Sequence, residues 1–179
     1  MSRTSVIFLM FLLTAQLTFA DTAKPVFENE VLRVSLTARS PNQIAAFYEA
    51  RGFSAAMVNE AKRHCFITVS IKNKSDKIFW LELSNWRFTT SSGEIVRVHR
   101  NDWRTKWQQM QIPLAHQSTF RWTLLPERLD FRPGEGEGGN ITLPAISAPI
   151  RLDAQFVFEN APAKKPVEVR IDNILCAKD

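Results

Sequence analysis

The sequence predicts a mainly β protein: an antiparallel two-sheet sandwich, immunoglobulin-like in the broad sense, with a short helical hairpin near the N-terminus. Three observations predict it. Apolar residues alternate with polar ones in about eight stretches after residue 31, the period-two signature of strands with one face buried. Turn-forming residues separate those stretches at short intervals, as they do in sandwiches. The clearest helix caps and helical apolar spacing fall in one segment, about 40–63. A closed eight-stranded barrel would satisfy the same pattern.

Residues 1–20, MSRTSVIFLMFLLTAQLTFA, are read as a cleavable export signal and set apart from the fold. Arg3 supplies the positive charge, 6–13 is an unbroken apolar run, and Ala20 is the small residue before the cut. A spanning helix needs about 20 apolar residues, and this run is shorter and broken by Gln16. No Cys lies near the cut, so a lipid anchor is not expected. The expected domain boundaries are therefore 1–20 for the signal and 21–179 for one sandwich domain with a helical insertion at about 40–63.

Residues 21–30 read as an extended lead-in. Leu32, Val34 and Leu36 then alternate with Arg33, Ser35 and Thr37 as a strand. Ser40 is placed to cap a helix, with Pro41 at its first position and Gln43 where a capping box wants Glu or Gln. Ile44, Phe47 and Tyr48 share one face of that helix, and Gly52 stops it. A weaker helix covers 54–63. From Cys65 the period returns to two through Ile67, Val69 and Ile71, and 73–76 turns the chain. The run 78–83 is apolar on both faces except for Glu82, as in a central strand, with Trp86 and Phe88 continuing it. A strand over 94–99 follows. The stretch 101–116 is irregular, with a helical turn or two around Trp103 and Trp107. Phe120, Trp122 and Leu124 alternate with Arg121 and Thr123 as a strand. Ile141 and Leu143 form a short strand before Pro144. Ile150, Leu152, Ala154, Phe156 and Phe158, then Val167, Val169 and Ile171, complete the series.

The only two cysteines, Cys65 and Cys176, are expected to form one disulfide in an oxidising compartment. A rival reading makes His64 and Cys65 a base and nucleophile. Adjacent residues on extended chain point to opposite sides, which places them poorly for proton transfer.

The net charge of +5 falls to about +4 without Arg3. A modest positive charge favours acidic partners without marking a nucleic-acid binder. For an exported chain the expected partners are an envelope or extracellular protein, an acidic glycan or a lipid headgroup. After removal of the signal, no apolar run approaches membrane length, so an integral membrane protein is not expected.

The sequence offers three candidate sites. The glycine-rich segment 133–139 holds four of the six glycines, so its backbone needs positive φ or close approach. Its carboxylates argue against a phosphate cradle. Asp130, Glu135, Glu137 and Asn140 could offer oxygen ligands to calcium, although the spacing matches no calcium loop, and a solvated hairpin loop is the plainer expectation. The second candidate is basic and aromatic: Arg97, Arg100, Trp103, Arg104 and Trp107, with Lys106 and Asp102 among them. It reads either as a platform for an anionic or sugar ligand or as indoles docked on the sandwich with cations outside. The second alternative is favoured, and Trp103→Ala is then expected to harm folding more than binding. Third, His64, His99 and His116 lack metal-ligand spacing. Asn73-Lys-Ser75 and Asn140-Ile-Thr142 match the N-glycosylation pattern, which matters only in a eukaryote; a bacterial periplasm is the preferred compartment.

No cofactor motif or catalytic constellation stands out. The expectation is a non-catalytic exported β-sandwich that binds a partner or ligand in the envelope or outside the cell. The alternatives are a small envelope-polymer hydrolase using carboxylates near 130–140, and a carrier of calcium or copper.

Overall fold

The computed structural model describes residues 25–159 and 165–179; the export signal expected at 1–20 lies outside them. Among the described residues, ten strands form two antiparallel sheets. The first sheet has the order β1 (Val26–Glu28), β2 (Leu32–Arg39), β3 (His64–Asn73), β8 (Gly136–Pro144). The second is built around β9 (Ile150–Phe158). One edge of β9 pairs with β10 (Val167–Ile174); along the other lie β4 (Phe79–Glu82) and β5 (Arg87–Thr90), which in turn pair with β7 (Arg128–Phe131) and β6 (Gly93–Ile95).

The alternation read from the sequence is what fills the sandwich. Leu32, Val34 and Leu36 of β2 and Ile67, Val69 and Ile71 of β3 face Phe79, Leu81, Leu152, Phe156 and Val169 from the other sheet in one buried cluster. The register Leu36↔Val69 and Ile67↔Ile141 keeps the inward sets aligned across three strands. The Cys65–Cys176 disulfide is present, with Cα atoms 5.4 Å apart and a sequence separation of 111. It joins the start of β3 in one sheet to the chain just after β10 in the other.

Four helices make a second layer. Helix α1 (Pro41–Glu49) has the expected capping box: the Ser40 hydroxyl accepts from Gln43 N, and the Gln43 side chain accepts from Ser40 N. Ser54 caps α2 (Ala55–Lys62) through its hydroxyl alone, which accepts from Met57 N. Helices α3 (Arg100–Gln109) and α4 (Leu114–Thr123) follow β6. All four pack around Phe66, which β3 turns away from the sandwich core, in a cluster containing Tyr48, Met57, Trp103, Trp107 and Phe120. The Tyr48 hydroxyl meets Thr123 Oγ1 at 2.8 Å, and burial pushes its pKa up to about 12.

Several expectations are corrected. The helical turn or two expected around Trp103 and Trp107 within an irregular 101–116 is a full ten-residue helix, α3, and α4 already begins at Leu114. The strand expected at Phe120, Trp122 and Leu124 is the end of α4 and its C-cap: Phe120 and the cap residue Leu124, four apart, are buried, while Trp122 is 84% exposed. The central run breaks at a 3-10 turn, Leu83–Asn85, so β4 and β5 are separate strands. The expected strand over 94–99 is limited to β6, and the lead-in contains β1.

The glycine-rich segment is not a loose loop. It enters β8 at Gly136 and pairs with β3 from Lys72↔Gly136 to His64↔Pro144. Only Gly134, in the turn, has positive φ (77°) among its glycines. The others answer to close approach. A Cβ on Gly138 would lie 2.7 Å from Val69 O, and one on Gly139 would lie 2.6 Å from Leu125 N. That contact lets Leu125 N donate to Asn140 O (2.9 Å), tying the end of α4 to the edge of β8.

Candidate functional site

The basic-aromatic stretch forms α3, and the structure separates its indoles from its cations. Trp103 and Trp107 are each 1% exposed. They stack at 5.0 Å with an interplanar angle of 24°, and Phe120 of α4 sits 4.8 and 5.0 Å from them. Trp103 Nε1 donates to Thr142 Oγ1 (2.9 Å), and Thr142 Oγ1 donates to Val98 O (3.1 Å). The buried hydroxyl thus pins α3 and the chain entering it to β8. His64 lies 4.6 Å from the Trp103 ring, and its Nδ1 donates to Glu60 O. Burial lowers the His64 pKa. With their faces covered, the indoles form a floor and offer no open stacking platform.

Above that floor, α3 and α4 enclose a cleft of about 810 Å³, within the range of small-molecule sites. Arg100 and Arg104, four residues apart, line the α3 wall. Leu114, Ser118 and Arg121 line the α4 wall, and Glu127 and Arg128 stand at the chain leaving it. The charges are unequally compensated. Asp102 is occupied as the helix cap, accepting from His99 N at 2.8 Å. Glu127 takes a two-point contact from Arg97, with Nη1 to Oε1 at 3.1 Å and Nη2 to Oε2 at 2.6 Å. Burial opposes ionisation of Glu127, but the Arg97 hydrogen bonds and charge outweigh it and hold the carboxyl below its usual range. Arg128 pairs with Glu82 at 3.2 Å.

Arg104 and Arg121 have no ion pair or side-chain hydrogen bond among the described residues. Arg100 donates through Nη2 to Leu124 O, while its Nε is buried without a hydrogen-bond partner among those residues. Burial, then repulsion from Arg121, lowers the pKa of the Arg100 guanidinium. The Arg100 and Arg121 guanidinium groups therefore repel one another, and the Glu127 carboxylate offsets this only in part.

Of the candidate ligand residues, the structure brings Arg100 and Arg104 to the cleft. Arg97 is buried and committed to Glu127 and His99, and Trp103 and Trp107 support from beneath. Sequence reasoning missed Arg121, Arg128 and Leu114. Their signal was the i, i+4 pair Phe120 and Leu124 after Pro113, which marks 114–123 as helical and sets Leu114, Ser118 and Arg121 along one side.

The oxygen-ligand set does not converge. Asp130 lies on β7 opposite Trp80, and Glu137 lies on β8 opposite Ile71 in the other sheet. The Glu135 carboxylate accepts from Arg132 N, closing the turn, and Asn140 Oδ1 accepts from Thr68 Oγ1. His64, His99 and His116 are spread over the start of β3, the α3 cap and α4. Among the described residues, no three His, Cys, Asp or Glu side chains group to hold a metal. Asn73 is wholly buried, its amide donating to Lys77 O and Phe131 O, so the folded chain does not present that glycosylation sequon. No helix among the described residues is long and apolar enough to cross a membrane.

Comparison with known proteins adds little to this geometry. No protein-family model matches the chain, and no curated protein matches it. Among solved structures it is similar to a chain from Bacillus subtilis described as a "putative lipoprotein", at 10% identity and a TM-score of 0.43. The match covers 84% of this chain but 39% of that one.

Proposed function

We propose that this protein is an exported, non-catalytic β-sandwich module that binds an anionic ligand in the cleft between α3 and α4. One observation carries the reading: Arg104 and Arg121 face a cleft whose carboxylates, Asp102 and Glu127, are already committed within the fold. Uncompensated guanidinium groups beside an apolar floor recognise carboxylate, sulfate or phosphate through charge-assisted hydrogen bonds. Export is supported by the inter-sheet disulfide, a bond that persists in oxidising compartments, together with the leader pattern at 1–20.

The test is titration of the chain from Asp21 with a heparin-type sulfated glycan and with inorganic phosphate, at low and moderate salt. Saturable binding that weakens with salt, and drops about tenfold or more in Arg104→Ala/Arg121→Ala, is the expected result. Equal binding by that variant and the parent chain, or no binding by either, would overturn the reading.

A further inference from the structure

Helix α4 carries a second feature, which starts at the cleft and runs beyond it. Phe120 is its one fully buried residue, and it fixes which side of the helix faces the fold. On the side away from Phe120 lie Leu114, Ala115, Ser118 and Trp122, all exposed, with Leu114 at 77% and Trp122 at 84%; Leu114 and Ser118 also line the cleft, and Trp122 lies outside it. At about 100° per residue, positions 114, 118 and 122 form one slowly turning stripe. Leu114 and Trp122 are separated along the axis by about 12 Å at ~1.5 Å per residue. No charged residue interrupts the stripe. Arg121 borders it on the cleft side, and Arg104 stands across the cleft.

We infer that this face of α4 docks onto an anionic lipid bilayer, with the Trp122 and Leu114 side chains entering the headgroup boundary and Arg104 and Arg121 meeting lipid phosphates. The inference rests on the proposed anion-binding cleft and names the surface that supplies the anion. Two properties select this occupant. An indole is favoured at the boundary between hydrocarbon and water because it is apolar with one donor. Guanidinium groups lacking acidic partners require negative charge beside that apolar layer. A soluble anion in the cleft would satisfy the arginines and leave Trp122 in water. An uncharged apolar partner would cover Trp122 and leave the arginines uncompensated. An anionic bilayer answers both, in the manner of interfacial helices that lie in the membrane plane.

The experiment is flotation of the chain from Asp21 with vesicles of phosphatidylcholine alone and with added phosphatidylglycerol. All described elements lie within that chain, and the apolar run at 6–13 is kept out of the measurement. Binding is expected only to the anionic vesicles, weakening with salt and accompanied by a blue shift of tryptophan emission. Arg104→Ala/Arg121→Ala should weaken it roughly thirtyfold, at about fivefold per cation near the surface. Trp122→Ala should weaken it about tenfold or more. Trp122→Phe should retain most binding but lose the emission shift, because the other four indoles are not on this face. Trp122 is exposed, so these variants should melt like the parent chain.

Vesicle binding that needs the arginines but is indifferent to Trp122→Ala would overturn the docking while leaving the anion cleft in place. The same holds for arginine-dependent binding of the soluble sulfated glycan without vesicle binding. Loss of arginine dependence in both assays would overturn both readings.

Discussion

Replacing Trp103 by alanine separates the supporting role of the indoles from the binding role of the arginines. The side chain is 1% exposed and touches Trp107, Phe120, Phe66 and His64, with Lys106 Nζ 5.5 Å from its ring centroid. Truncation removes a buried aromatic side chain whose neighbours are held by two helices and a strand, so collapse of the cavity is restricted. Such changes cost about 3–5 kcal/mol. The lost Nε1 bond to Thr142 adds little, because Thr142 Oγ1 still donates to Val98 O and only an accepted hydrogen bond is lost. For a chain of this size the change corresponds to a fall in Tm of roughly 8–16 °C. The assay is thermal unfolding followed by far-ultraviolet circular dichroism, with chemical denaturation alongside. Arg104→Ala/Arg121→Ala, measured in parallel, should stay within about 0.5 kcal/mol of the parent chain, since both side chains lack partners among the described residues. A Trp103→Ala protein that melts normally yet loses the sulfated glycan would refute the reasoning, making Trp103 a contact residue after all.

Three further outcomes follow from the same structure. Removing the disulfide by Cys65→Ala/Cys176→Ala should cost roughly 5 kcal/mol in the chain-entropy model for a closure of 111 residues; an unaltered denaturation midpoint under oxidising conditions would contradict its role as an inter-sheet tie. Gly139→Ala should destabilise by about 1–3 kcal/mol, because the new methyl meets Leu125 backbone at 2.6–2.7 Å and cannot be relieved by a side-chain rotation. Acid should destabilise the fold through Glu127: with its pKa below the ordinary 4.5, the unfolded chain binds a proton that the folded chain refuses, so stability falls as pH drops through that window. Glu127→Gln should flatten this part of the curve, at the expense of Arg97, and a slope identical to the parent's would exclude the linkage.

Much of the fold was legible because its causes are local. The α1 cap depends on Ser40, Pro41 and Gln43, which are close neighbours in sequence. The paired faces of β2, β3, β9 and β10 depend on strict alternation that a one-residue slip would invert. Where local causes were ambiguous, expectation failed. Phe120, Trp122 and Leu124 fit a period of two, while Phe120 and Leu124 alone fit a helix. The choice was made by the floor of indoles that Phe120 packs against, which sequence does not display. The glycine-rich segment reads as needing positive φ or close approach, and the structure uses both: positive φ at Gly134 and close approach at Gly138 and Gly139. Whether they lay in a loop or a strand depended on Lys72 and Leu125, distant in sequence.

The candidate site shows the same division. The sequence by itself determined the composition of the α3 stretch, with cations and indoles interleaved at helical spacing, and it determined that two cysteines were available to close a long loop. The tertiary structure decided that Trp103 and Trp107 turn inward, that Arg97 is spent on Glu127, and that Arg121 from a helix read as a strand completes the cleft. The physical reason is that a side chain's role depends on what neutralises or covers it. For these arginines and tryptophans, those neighbours come from β8, α4 and the chain at 127, brought together only when the helical layer closes over Phe66.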